Sequence, residues 1–221
     1  KTAEVGFDRL LVGGYDKDDR ACAYAALRTL LDGTTPAHTA LVLLYDKEET
    51  GSEGNTGAKS RLLTDLAVEL LRRQGSRDIP SDLVQVWRAT RALSADVSGV
   101  PVPAYKDVYE ASNAPLIGHG VVLAKFTGSA GKSGSSDASA EYMGAICRLL
   151  REHEVPWQAG EHGKVDEGGG GTIAKFLAAY GMEVIDCGPG VMGMHSPWEI
   201  THKADLYATN RAFAAFLQQS W

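Results

Sequence analysis

Two adjacent carboxylates, Glu48 and Glu49, stand just after a short apolar run at 40–45 in a chain of 221 residues. The run has the length and composition of a buried strand. Carboxylates at the C-terminal end of a central strand sit where α/β folds place their chemistry. One of the two could hold a metal while the other handles a proton. Neighbours on an extended backbone point opposite ways, so both serve one site only where the strand ends or turns. The competing reading is a solvated charged loop of Asp46, Lys47, Glu48, Glu49 and Glu53. Asp18 and Asp19 open a helical pattern, where capping explains them. Asp96 follows a strand-like stretch, and His195 lies alone in the loop Met194-His195-Ser196-Pro197, where a histidine is commonly a surface or core residue. Four glycines at 168–171, Gly169 and Gly170 among them, precede Thr172 and a helix. They suggest close backbone approach to a ligand, with amide groups and the helix dipole available for an anion. The run lacks the Lys-Ser/Thr ending of a phosphate-binding loop, which argues against a nucleotide.

The elements that must position these groups follow from periodicity. Helical spacing runs from Asp18 through Leu30 and Leu31 to a stop at Gly33, then over 58–73, 83–89 (opened by Pro80-Ser81-Asp82), 137–150, 173–180 and 203–217. Strand-like stretches lie at 10–12, 40–45, 92–97, 120–126, 155–158 and 182–187, with Lys125 the single lysine of its strand. Gly13-Gly14 reads as a strand break, and Pro101 and Pro103 preclude a regular central strand over 98–114. The Gly- and Ser-dense stretch 127–136 reads as a flexible surface loop. Helices alternating with strands predict an α/β domain with helices on both faces of the sheet.

Composition narrows the class. A chain of this length can bury a sizeable core and is expected to form one domain. With 44% hydrophobic and 23% charged residues it reads as a soluble globular protein. Its net charge of −6 argues against a nucleic-acid surface, and no apolar run approaches membrane-spanning length. Cys22, Cys147 and Cys187 have no metal-type spacing, and an odd count without a signal-peptide pattern fits a reducing, cytoplasmic compartment.

The block Tyr45-Asp46-Lys47-Glu48-Glu49-Thr50-Gly51-Ser52-Glu53-Gly54-Asn55, with Asp18-Asp19-Arg20, Ser94-Ala95-Asp96 and Met194-His195-Ser196, resembles the M18 aspartyl aminopeptidase family. Lys125-Phe126-Thr127-Gly128-Ser129 and the stretch from Lys164 to Thr172 are similar to its bacterial branch. The resemblance covers essentially the whole chain, as the C-terminal part of the family's length. It implies a zinc-exopeptidase-like (phosphorylase/hydrolase-like) fold, with a central mixed sheet between helices, as one catalytic domain over residues 1–221. It further implies a two-metal exopeptidase. Asp18 would bridge two divalent ions, zinc or else cobalt or manganese. Glu49 would bind the first ion, Asp96 and His195 the second, and Glu48 would be the general base acting on the shared water. Lys125, near the substrate's first side-chain pocket, would select acidic residues, and Gly169 and Gly170 would approach the peptide. The assembly implied is a tetrahedral shell of twelve subunits.

Two departures shape the expectation. The family's first-metal histidine lies in a His-x-Asp segment near its N-terminus, and this chain contains none, its earliest histidine being His38. The family's dimerisation domain is missing too. The expectation is a split or processed enzyme, found with a second polypeptide that carries the N-terminal part. The alternatives are a broad-specificity tetrahedral aminopeptidase of the M42 type and an inactive scaffold remnant.

Overall fold

Strand pairing begins at the N-terminus, where β1 (Ala3–Val5) runs antiparallel to β2 (Leu11–Gly14). The glycines of β2 continue the strand. Gly13 lies under the Trp198 indole, where an added Cβ would stand 2.4 Å from Nε1, so the pair serves close packing and breaks nothing. α1 (Lys17–Asp32) follows. The computed structural model describes residues 1–130, 132–161, 163–164 and 167–221, so Val165 and Asp166 of the family-like stretch lie outside the described residues.

Residues 40–45 join no sheet among the described residues, against the strand expected there. Leu43 and Tyr45 pack inward against an apolar cluster, while Leu41 and Leu44 remain 45% and 57% exposed. The alternation suits a strand, but a strand needs a neighbour to take its backbone groups. Among the described residues none does: the first backbone bond of this region is Asp46 N–H to Thr56 O, at 3.2 Å.

Next come α2 (Leu62–Arg73), α3 (Ile79–Ala89), β3 (Arg91–Ser94) and β4 (Ser98–Gly99). Asp78 caps α3, accepting from Ser81 N–H at 3.3 Å. β5 (Val121–Ala124) leads into β6 (Phe126–Ser129) and β7 (Ser133–Asp137). The Gly- and Ser-dense stretch expected as a loop is thus an antiparallel hairpin, because ladder hydrogen bonds need only backbone groups. α4 (Ala140–Glu152) is capped by Ser139, not by Asp137. Then follow β8 (Trp157–Ala159), β9 (Gly169–Gly170), the five-residue α5 (Ala174–Ala178), β10 (Glu183–Gly188), β11 (Gly190–Met192), β12 (Glu199–His202) and α6 (Lys203–Gln218).

The central sheet has the order β3-β10-β5-β8 and is mixed: β10 is parallel to β3 and antiparallel to β5, which is parallel to β8. Ile185 and Cys187 of β10 enter one apolar cluster with α1, α4 and α6 residues, including Cys22, Ile146 and Phe213. Val184, pointing the other way, enters a second cluster with Leu63, Trp87 and Leu177 of α2, α3 and α5. Successive side chains face opposite sides of a sheet, so helices cover both faces, as an α/β fold requires. A second sheet, β1-β2-β12-β11-β4, carries the His195 loop between β11 and β12. A third, β7-β6-β9, flanks the glycine run. No helix among the described residues is long and apolar enough to cross a membrane.

Candidate metal centre

Asp18 and Asp19 do not cap α1. The N-cap position belongs to Asp16, which makes no side-chain cap bond, and neither Asp18 (φ −86°, ψ 103°) nor Asp19 (φ −121°, ψ 33°) has helical angles. Their carboxylates instead turn into the fold. The Asp18 side chain is only 7% exposed, and its Oδ2 lies 3.0 Å from Nε2 of His195. The same imidazole nitrogen is 3.2 Å from Oε2 of Glu49. Ligand-type atoms of Asp18, Glu49 and His195 all lie within 4.8 Å of one another, and so do those of Asp18, Asp19 and Asp96. Asp18 belongs to both trios.

The acidic pair is presented by a single 3-10 turn, Glu48–Thr50, entered through Lys47 at φ 66° and left through Gly51 at φ 89°. The turn is what lets neighbouring carboxylates serve one region. Glu49 meets His195, and Glu48 lines a pocket of about 210 Å³ together with Ser52, Ser129, Ser133, Thr172 and Lys175. Asp46 takes no part: its carboxylate accepts from Thr56 Oγ1 at 3.0 Å and pairs with Lys47. Asp96 reaches the cluster from the loop after β3, where its Oδ1 accepts from Val97 N–H at 2.8 Å.

Burial and mutual repulsion govern the charge. Burial, then Glu49, pushes Asp18 up to about 7, against the favourable influence of His195. Burial pushes Asp19 up to about 8, opposed by the Cys22 thiol that donates to it. Asp96 lies well above the usual carboxylate range, through burial and then through Asp19 and Asp18. Burial and Glu49 raise Glu48 as well. Oδ1 of Asp19 is buried with no hydrogen-bond partner. An orphaned carboxylate oxygen amid carboxylates and an imidazole is a donor set that suits zinc or a similar divalent ion.

The structure therefore gathers Asp18, Glu49, Asp96 and His195 into one centre. Its grouping differs from the one expected: His195 contacts Glu49, and Asp96 stands with Asp19. Lys125 lies apart, its ammonium paired with Asp137 and absent from the pocket lining. Gly169 and Gly170 pair with β6, and the helix beyond them is too short for an anion-binding N-terminus; Gly171 and Thr172 reach the pocket instead. Sequence reasoning missed Lys175, whose signal was its place three residues after Thr172. It also missed Glu199, buried to 2% exposure, which accepts from the backbone N–H groups of Lys17, Asp18 and His195.

Two donor trios sharing a carboxylate form a candidate centre of the divalent-metal type in an α/β fold. The family of aminopeptidase I zinc metalloproteases (M18) matches over residues 1–217. A probable M18 family aminopeptidase 1 of Thermotoga maritima is 48% identical over 216 residues, covering 98% of this chain and 48% of its own. The Clostridium acetobutylicum counterpart is 44% identical over 217 residues, covering 98% of this chain and 46% of its own. The solved T. maritima M18 aminopeptidase superposes with a TM-score of 0.95 at 47% identity, over all of this chain and 49% of that one. The S. cerevisiae mApe1 dodecamer superposes with a TM-score of 0.79 at 27% identity, over 98% of this chain and 48% of that one. The chain belongs to the M18 family, which displaces the M42-type alternative. It spans about half the length of the curated relatives it matches.

The raised carboxylates set a pH dependence. Asp18 and Asp19 keep protons in the folded state up to about 7 and 8, whereas an unfolded chain releases them above about 4. The folded state binds more protons between those limits, so the metal-free protein loses stability as pH rises. Its melting temperature is expected to fall by ~5 °C from pH 5 to pH 8, with zinc at pH 8 reversing the loss. A melting temperature that rises over that range contradicts the electrostatic account.

Proposed function

We propose that this chain provides the general base and most of the metal ligands of an aminopeptidase that removes N-terminal residues, acidic ones above all. The observation that carries the reading is Asp18, shared by both donor trios, beside the turn that presents Glu48 and Glu49. In this reading Asp18, Glu49 and His195 would hold one ion, and Asp18, Asp19 and Asp96 would hold the other. Zinc held there supplies Lewis acidity to the scissile carbonyl and acidifies the attacking water. Glu48 takes the proton from that water and passes it to the departing amine; its raised pKa brings its proton affinity closer to working pH. Glu48→Gln is expected to lower turnover by ~10²–10⁴-fold with metal still bound, while Glu49→Ala loses metal. Equal metal loss in both variants contradicts this division of roles.

The acidic preference rests on the pocket beside Glu48. Lys175 makes no close ion pair among the described residues, although its charge acts on Glu48 across the pocket, and the hydroxyls of Ser129, Ser133 and Thr172 share that pocket. An ammonium ringed by hydroxyl donors suits a side-chain carboxylate. Lys125, already neutralised by Asp137, is a poorer selector. Lys175→Met is expected to lower kcat/KM for Asp-terminated peptides about ten-fold more than for Leu-terminated ones, and Lys125→Met to spare the ratio. A larger selective loss in Lys125→Met returns the role to that residue.

In this reading the part of the family's length outside these residues brings a histidine for the ion beside Asp96. The stretch 40–45 supports it: an apolar segment with inward Leu43 and Tyr45 and no backbone partner among the described residues is a template for an added strand. The mApe1 relative is a dodecamer, and a large shell of the same kind is proposed here. Native size-exclusion chromatography is expected to show an assembly far larger than one chain. A lone monomer with full aminopeptidase activity rules this out.

A further inference from the structure

Asp18 and His195 come from opposite ends of the chain, one at the start of α1 and the other in the loop between β11 and β12. Neither backbone segment is fixed by regular pairing at the ligand itself. Asp18 has non-helical angles, and His195 adopts φ 64°, a left-handed conformation rare for a residue with a side chain. One side chain spans both. Glu199, the first residue of β12, lies opposite Gly14 at the end of β2, so the β12–β2 ladder brings its carboxylate to the entry of α1. Oε2 accepts from the N–H groups of Lys17 and Asp18, the latter at 3.0 Å, and Oε1 accepts from the N–H of His195 at 2.7 Å. At 2% exposure, water offers those three donors little alternative.

We propose that Glu199 is a positioning residue: it sets the separation between Asp18 and His195, and thereby the zinc affinity of the centre. It touches neither substrate nor metal and acts through the two backbones it holds. The proposal rests on the metal reading of the site. A carboxylate is needed because both oxygens must accept. Glutamine has the same shape but only one acceptor oxygen, so its NH₂ must face either His195 N–H or the Lys17 and Asp18 pair, donor against donor.

The test is a zinc titration of the metal-free chain against a chromophoric chelator, with Asp205→Asn as the control. Asp205 is also fully buried and also staples backbone, accepting from Gly118 N–H at 2.7 Å and Gly120 N–H at 2.8 Å, but it holds no candidate ligand. Glu199→Gln is expected to weaken zinc binding about 10–100-fold, and Asp205→Asn to leave it within about two-fold even where its melting temperature falls as far. Glu199→Asp, which keeps two acceptors, is expected between wild type and Glu199→Gln. Wild-type affinity in Glu199→Gln, or an equal loss in Asp205→Asn, overturns the proposal. Should Glu199→Gln not fold, Glu199→Asp decides, and parity with wild type overturns it. A wild-type chain that binds no zinc overturns the metal reading and this proposal with it.

Discussion

Like charges drawn out of water repel in a medium that screens them poorly, and the molecule holds Asp18, Asp19 and Asp96 together regardless, with the more exposed Glu49 beside Asp18. Burial leads every upward pKa shift in the cluster, and neighbouring carboxylates add to each. His195 is the one group of the trios that opposes the repulsion at Asp18. Such an arrangement persists only where the surrounding framework over-determines it, and a divalent cation is the partner that turns its cost into binding.

The framework does so from two sides. The central sheet is clamped between two apolar clusters, with Val121, Val122 and Leu123 of β5 fully buried, so the end of β3 and the loop bearing Asp96 cannot drift. Gly188 at the end of β10 permits this approach: an added Cβ would stand 1.9 Å from the Asp96 carbonyl oxygen and 2.9 Å from Cys22 Sγ. The second sheet fixes the other side, because β2 delivers Asp18 and β12 delivers Glu199, paired in register. The turn bearing Glu48 and Glu49 is held more lightly, by Ser52 N–H to Lys47 O at 2.7 Å and by the Asp46–Thr56 contacts. The proposed base Glu48 thus sits on the more lightly held segment, and Asp18 and Asp96 on segments anchored by the sheets.

The parts of this that were legible in the sequence are those written locally. Helical periodicity placed α1, α2, α4 and α6 within a few residues, and the turn that one shared site for Glu48 and Glu49 requires is present. What was not legible depends on partners distant in sequence. Glu199 reads as an ordinary strand residue until the β12–β2 ladder sets it beside Asp18. Composition made 127–136 a loop because glycine and serine say nothing about ladders closed by backbone groups alone. The stretch 40–45 has strand composition, yet its pairing partner is absent from the described residues. Lys125 and Lys175 look alike in sequence, and only the Asp137 contact separates the neutralised lysine from the one that faces the pocket.

The central claim is that Asp18 is shared by two divalent ions. Anomalous diffraction at the zinc edge, on crystals of the zinc-loaded protein, tests it most directly. The account predicts two peaks flanking the Asp18 carboxylate, one beside Glu49 and His195 and the other beside Asp19 and Asp96. A single peak without Asp18 in its coordination, or zinc bound only at surface residues, would contradict it.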